Sequence, residues 1–134
     1  MSNSVAIGVA YSDPEFTTCY ASAEIGYATG AQGAVTQLTD KTTGVTLNKS
    51  AGRITMNAAS LAANTAVSFT LTNSTISAND AIIVNVSGGG TAAAYTTYIS
   101  SMTAGSAVVT LRNLTGGALA EAVVLNYAII HGAS

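Results

Sequence analysis

Residues 65–73 read TAVSFTLTN, with Val67, Phe69 and Leu71 at alternate positions and Ser68, Thr70 and Thr72 between and after them. In an extended chain successive side chains point to opposite faces, so this stretch puts three apolar groups on one side and three hydroxyls on the other. Residues 121–130, EAVVLNYAII, repeat the device with Val123, Leu125, Tyr127 and Ile129. One apolar and one polar face is the pattern of a half-buried antiparallel strand.

Outward from these two stretches lie six more short runs, at residues 34–39, 44–48, 53–57, 80–86, 93–100 and 106–113, separated by Gly, Asn, Ser and Asp. Eight short strands with turn signals between them predict an all-β fold, an antiparallel β-sandwich of jelly-roll-like architecture. Its core is expected to be thin, because much of the hydrophobic content is Ala and the chain has two Phe and no Trp. The one helical competitor, AASLAA at residues 58–63, is too short to hold a helix alone and reads as a turn. Gly88, Gly89 and Gly90 read as a flexible connection between strands, since no helix start with Lys or Thr follows to make a phosphate loop.

The pattern changes near residue 30. Residues 1–30 hold the only Pro, the only Cys, three of the six Tyr and three of the six acids, and their apolar residues keep no sustained period. They predict an extended N-terminal arm, with a turn at Asp13-Pro14. Residues 31–134 are then the sandwich domain. Within the arm Tyr11, Pro14, Phe16, Tyr20 and Tyr27 are the candidate interface residues, placed either to anchor a neighbouring subunit or to pack locally. Tyr95 and Tyr98 fall on opposite faces of one strand, so one of them is open to an interface or a sugar.

Charged residues make up 7% of the chain, and four Lys or Arg against six Asp or Glu give a formal net charge of −2. An ordinary soluble domain is about 25% charged, so this surface has little to keep copies apart and suits a subunit packed in an assembly. Lys41, Lys49, Arg53 and Arg112 are scattered, which argues against a nucleic-acid partner. No stretch reaches the roughly eighteen apolar residues of a membrane span, and the start lacks the basic and apolar regions of a signal peptide. Synthesis in a cytoplasm is the corresponding expectation.

The residues give no support to catalysis. His131 is the only histidine and Cys19 the only cysteine, so neither a zinc set nor an intramolecular disulfide can form, and no cofactor is expected. A nucleophilic triad would need Cys19 or a Ser to find His131 close to the C-terminus, where geometry is hard to hold, and His131 reads as solvated or at an interface. Asp40, Asp80 and Glu121 sit at strand edges as turn formers rather than as the paired acids of a glycosidase. The four Asn-x-Ser/Thr triplets, at Asn48, Asn73, Asn85 and Asn113, are what chance gives in a chain so rich in these residues.

The segments GAVTQLTDKTTGVTLNKSAGRITMNAASLAA, VSFTLTN and LTGGALAEAVVLNYAII, within residues 33–130, resemble a family of small virion proteins of tailed bacteriophages and prophages, and IGVAYSDPEF resembles the start of such chains. The resemblance implies a capsid decoration (cement) protein, not an enzyme, on the surface of a particle assembled in the host cytoplasm. Its implied partners are the major capsid protein and sister subunits in a homotrimer or dimer. The alternative it implies is a head or tail fibre module that binds host-surface glycans.

Overall fold

A computed structural model describes residues 15–133. After a single 3-10 turn at Thr29–Ala31 the chain forms eight strands: β1 (Gln32–Thr36), β2 (Val45–Thr46), β3 (Ala51–Thr55), β4 (Ala66–Thr72), β5 (Ala81–Gly88), β6 (Tyr95–Thr103), β7 (Ser106–Asn113) and β8 (Val124–Ile130). They make two four-stranded sheets, ordered β1-β3-β8-β5 and β2-β4-β7-β6. The fold is all-β, as the alternation predicts.

The sheets are mixed rather than purely antiparallel, which corrects the sequence expectation. β1 pairs with β3 in parallel and β2 with β4 in parallel, while the other ladders are antiparallel. The cause is the path of the chain. β1 passes to β2 in the other sheet and β2 returns to β3, so the two strands that end up adjacent run the same way. The chain changes sheet at every connection except β6 to β7, which is a hairpin closed at Gly105 with φ of 82°. Alternation within a strand reports burial, not the direction of the neighbour, so this feature was invisible to it.

Inward residues of both sheets form one apolar core, in which Phe69, Leu71, Val109, Leu111, Leu125 and Ile129 are each at most 2% exposed. The two predicted faces are present: Phe69 and Leu71 in β4, and Val123, Leu125, Tyr127 and Ile129 along β8, all lie inside. Residues 58–63 form no helix; Leu61 instead exchanges main-chain hydrogen bonds with Leu119 as an isolated antiparallel bridge. The Gly88–Gly90 run is packed rather than loose. Gly88 ends β5, and Gly89 has φ of 73° with the position of a Cβ only 2.2 Å from the Ala122 carbonyl oxygen. A larger residue there would be strained in its backbone and would clash.

Two buried asparagines fasten the strand ends. Asn73, just after β4, and Asn113, the last residue of β7, are both fully buried. Each accepts hydrogen bonds at Oδ1 from the main-chain N–H and the hydroxyl of the Thr two residues on, Thr75 and Thr115. This is the Asx turn, in which a short amide side chain substitutes for backbone. The Asn113 amide donates to the carbonyls of Leu61, Ala62 and Gly117, and that of Asn73 donates to Lys49 and to the Tyr127 hydroxyl. Two of the four Asn-x-Ser/Thr triplets are therefore structural turns with no surface to offer a glycan.

Candidate functional site

Most of the candidate interface residues lie in the N-terminal segment expected to form an arm. Tyr11 and Pro14 lie outside the described residues. From Glu15 to Gly26 every residue is exposed and none belongs to a strand, with Phe16 67%, Tyr20 92% and Ile25 87% accessible. Tyr27 differs. Its hydroxyl donates to the carbonyl of Ile129, and the Gln32 amide donates to its own carbonyl at 2.9 Å, so Tyr27 is tied to its own chain. Ile25 and Tyr27 together with Ala128, Ile130 and His131 line an open groove of about 520 Å³. The groove is mostly apolar because Ala128 and Ile130 are outward residues of β8, Ile130 being 57% exposed.

At the end of that groove the fold assembles a group that the sequence reading left apart. Asp80 immediately precedes β5 and His131 immediately follows β8, and the register pairs Ala81 with Ile130, so the two are neighbours across the ladder. His131 Nδ1 lies 3.1 Å from Asp80 Oδ2, and its Nε2 lies 3.4 Å from Ser50 Oγ. Hydroxyl, imidazole and carboxylate thus stand in the order of a nucleophile, a base and an orienting acid. The same contacts act as a fastening. The Ser50–His131 contact is longer than the 2.6–3.2 Å of a closed hydroxyl–base hydrogen bond. The Asp80 carboxylate is spent on other donors: the N–H and hydroxyl of Ser77 and the N–H of Gly132.

Those donors, the Ser77 N–H foremost, hold the Asp80 carboxyl down at about 2, below the usual carboxylate range. Asn79 adds a bond from its amide to the Ala133 carbonyl, and at Gly132 a Cβ would sit 2.2 Å from the Asn79 carbonyl oxygen. His131, read from sequence as solvated or at an interface, is half-exposed and held on both ring nitrogens by its own chain. The C-terminal residues are latched to the β4–β5 connection. A signal was available: an antiparallel β5–β8 pair places residues 80 and 131 opposite each other.

A second polar cluster joins Lys41, read from sequence as one of the scattered cations, to Glu121, read as a turn former. Lys41 is 3% exposed, and its Nζ donates to the main-chain carbonyls of Asn57 and Glu121. Burial lowers the pKa of its ammonium, with Glu121 acting in the opposite sense. The Glu121 carboxylate accepts from the N–H and hydroxyl of Thr91 and from the Tyr95 hydroxyl at 2.7 Å. The Thr91 bonds lead in lowering its pKa, whereas burial leads in raising that of Tyr95. Asp40 is a turn former, as expected, bonded to the N–H and hydroxyl of Thr42. Glu121 instead ties the approach to β8 to the start of β6. Both clusters brace loops; the first reaches the groove through His131, and the second does not line it.

The outer face of β4, β7 and β6 carries mostly small hydroxyl groups. Ser68, Thr110 and Ser100 form a chain of hydroxyl contacts at 2.7 and 2.9 Å across the three strands, and Tyr98 stands beside Thr110 in the register. Tyr98 is 47% exposed and Tyr95 is buried, the split that their spacing predicts. Among the described residues no three His, Cys, Asp or Glu side chains converge. No described helix is long and apolar enough to cross a membrane. No family model, curated protein or solved structure matches the chain.

Proposed function

We propose that this chain is a structural protein of a bacteriophage virion, a capsid decoration (cement) protein that bridges shell subunits. The observation that carries the reading is the contrast between a self-contained body and an arm whose Phe16, Tyr20 and Ile25 are two-thirds or more exposed. Apolar groups displayed singly need no explanation, but three within ten residues of a sparsely charged chain suit a covered site. In this reading the two sheets stack as a sandwich. It is jelly-roll-like because the chain wraps between sheets at nearly every connection, with residues 1–30 as an extended arm. The assembled unit is a homotrimer or dimer whose interface residues include Tyr11, Pro14, Phe16 and Tyr20. A cement protein needs complementary area more than chemistry, and several standard interfaces of roughly 1,600 Å² around a symmetry axis hold firmly through avidity.

The experiment is co-sedimentation of the full-length chain with capsids of the phage that encodes it, followed by cryo-electron microscopy of the decorated particle. Density for the chain between shell subunits, with the arm in contact, is the expected result. A chain that stays in the supernatant overturns the proposal. The fibre reading draws support from Tyr98, an exposed aromatic ring on a hydroxyl-rich face, where a sugar can stack. Binding to host cells that is lost in Tyr98→Ala, without binding to capsids, would favour it.

A further inference from the structure

The sequence of the arm and the free edge of one sheet fit each other. Residues 16–22, FTTCYAS, hold aromatic, Thr and small residues with no charge and no Pro, a composition suited to a strand. Yet among the described residues no strand pairs with them, and all seven are exposed. At the other side, β5 closes its sheet and, among the described residues, is bonded to β8 alone. Its residues 81–86, AIIVNV, also lack charge and Pro, the usual protections of an open edge; the irregularity between Val86 and Gly88 protects only its far end. The edge is also under-covered. Ile82, Val84 and Val86 point to the core but are only half-buried, while Leu125, Tyr127 and Ile129 on β8 beside them are buried.

The course of the arm brings the two together. From β1 at one edge of the sheet the chain runs back to Tyr27 at Ile129, and to Ile25 beside Ile130, whose ladder partner Ala81 begins β5. The described residues before Ile25 thus lead off from the end of β8, next to the start of β5. β6, the edge strand of the other sheet, lies against β5 at the same side of the fold, but its ladder is interrupted in mid-strand by the irregularity between Ile99 and Ser101, which protects an edge.

We propose that residues 16–22 of one copy add as a fifth strand to the β5 edge of a second copy. Main-chain hydrogen bonds supply the attachment, as they do wherever an extended segment augments a sheet. The occupant is another copy rather than the same chain, because within one chain these residues lie exposed and off the edge. Exchange in both directions closes a twofold pair, and exchange around a ring closes a trimer. The inference rests on the assembly reading above and names the surface through which it works.

Cys19, the only cysteine and exposed, makes the test direct. The full-length chain carrying a mass tag is mixed with an untagged chain bearing Cys19→Ser and Asn85→Cys, Asn85 being an exposed residue in the middle of β5. Oxidation should yield a reducible tagged–untagged product. A partner with Cys19→Ser and Thr36→Cys, on the opposite edge strand β1, should give none. In light scattering, Thr18→Pro, which removes a main-chain donor, should lose the oligomer, and Thr18→Val should keep it. No mixed product at position 85, equal product at position 36, or an intact oligomer in Thr18→Pro would overturn strand exchange. In a chain keeping Cys19 and bearing Asn85→Cys, a bridge closing within one molecule would overturn it too. Cross-linked oligomers that ignore capsids would instead leave strand exchange standing and sink the decoration reading. Monomers that decorate capsids would do the reverse.

Discussion

The eight-stranded body and the segment that precedes it, Glu15–Gly26, are both sparse in charge, yet they use their apolar residues in opposite ways. In β4, β7 and β8 every second residue is turned into one core, and the polar groups that go in with it are paired. No buried side-chain nitrogen or oxygen among the described residues lacks a hydrogen-bond partner. Between Glu15 and Gly26 the arm buries nothing and forms no strand. Composition alone therefore does not make a segment fold. The body succeeds because its period matches the pleat and its strand ends carry buried asparagines, whereas residues 16–22 have a strand-forming composition with no partner among the described residues.

The strongest way to break this contrast is to open the core. Phe69→Ala or Leu125→Ala should each cost on the order of 2–5 kcal/mol through lost burial and the cavity left behind. Thr70→Ala, one position along on the outward face, should cost less than about 0.5 kcal/mol. Chemical denaturation of the three variants measures this, and similar losses at Phe69 and Thr70 would contradict the assigned faces.

The second test concerns the asparagines. Asn113→Ala removes the amide that satisfies three main-chain carbonyls and the oxygen that accepts from Thr115. Each buried group left unpaired costs about 1–3 kcal/mol, so the variant should lose about 3 kcal/mol or more. Asn113→Asp keeps the shape but replaces a donor with an acceptor facing three carbonyls, and it should not rescue the fold. A denaturation midpoint for Asn113→Ala within error of the parent chain would show that the turn is decorative.

These two tests also mark how far the sequence could be read. The two alternating faces, the eight strands and the opposite placement of Tyr95 and Tyr98 were legible because side-chain period is local. The parallel pairing of β1 with β3 and of β2 with β4 was not, since it depends on which sheet each connection enters. Asn73 and Asn113 were visible as Asn-x-Thr triplets. Their role in the Asx turns was legible in principle, but their burial follows only from Leu61, Lys49 and Tyr127 arriving from elsewhere in the fold. His131 and Asp80 lie 51 positions apart and meet only through the β5–β8 register.

The C-terminal latch makes a smaller, pH-dependent contribution. The Asp80 carboxyl sits at about 2 in the folded chain against 3.8 as its ordinary value. A depressed folded value means that the stabilisation is complete above the unfolded pKa and is lost as pH falls through the folded one. The parent chain should therefore lose stability between about pH 4 and pH 2, and Asp80→Asn should show a shallower decline over the same window. Thermal melts across that range compare the two. Parallel curves would mean that the latch does not contribute to folding.

The smallest effect on folding is expected in the arm, and there the comparison is sharpest. Phe16 and Tyr20 are 67% and 92% exposed, so the double change Phe16→Ser, Tyr20→Ser removes almost no buried area from the chain itself. Surface substitutions of this kind usually stay within about 0.5 kcal/mol, and the melting curve should superimpose on that of the parent chain. Association should behave differently. An exposed aromatic ring contributes nothing to its own fold but becomes an anchor once a partner covers it, and such anchors carry most of an interface's energy. The double variant should therefore lose oligomer in light scattering and capsid in co-sedimentation while remaining folded. A drop in stability equal to that of Phe69→Ala would place the two rings in the body after all. Unchanged association would remove the arm from the interface and leave the outer faces of the two sheets as the surfaces to test.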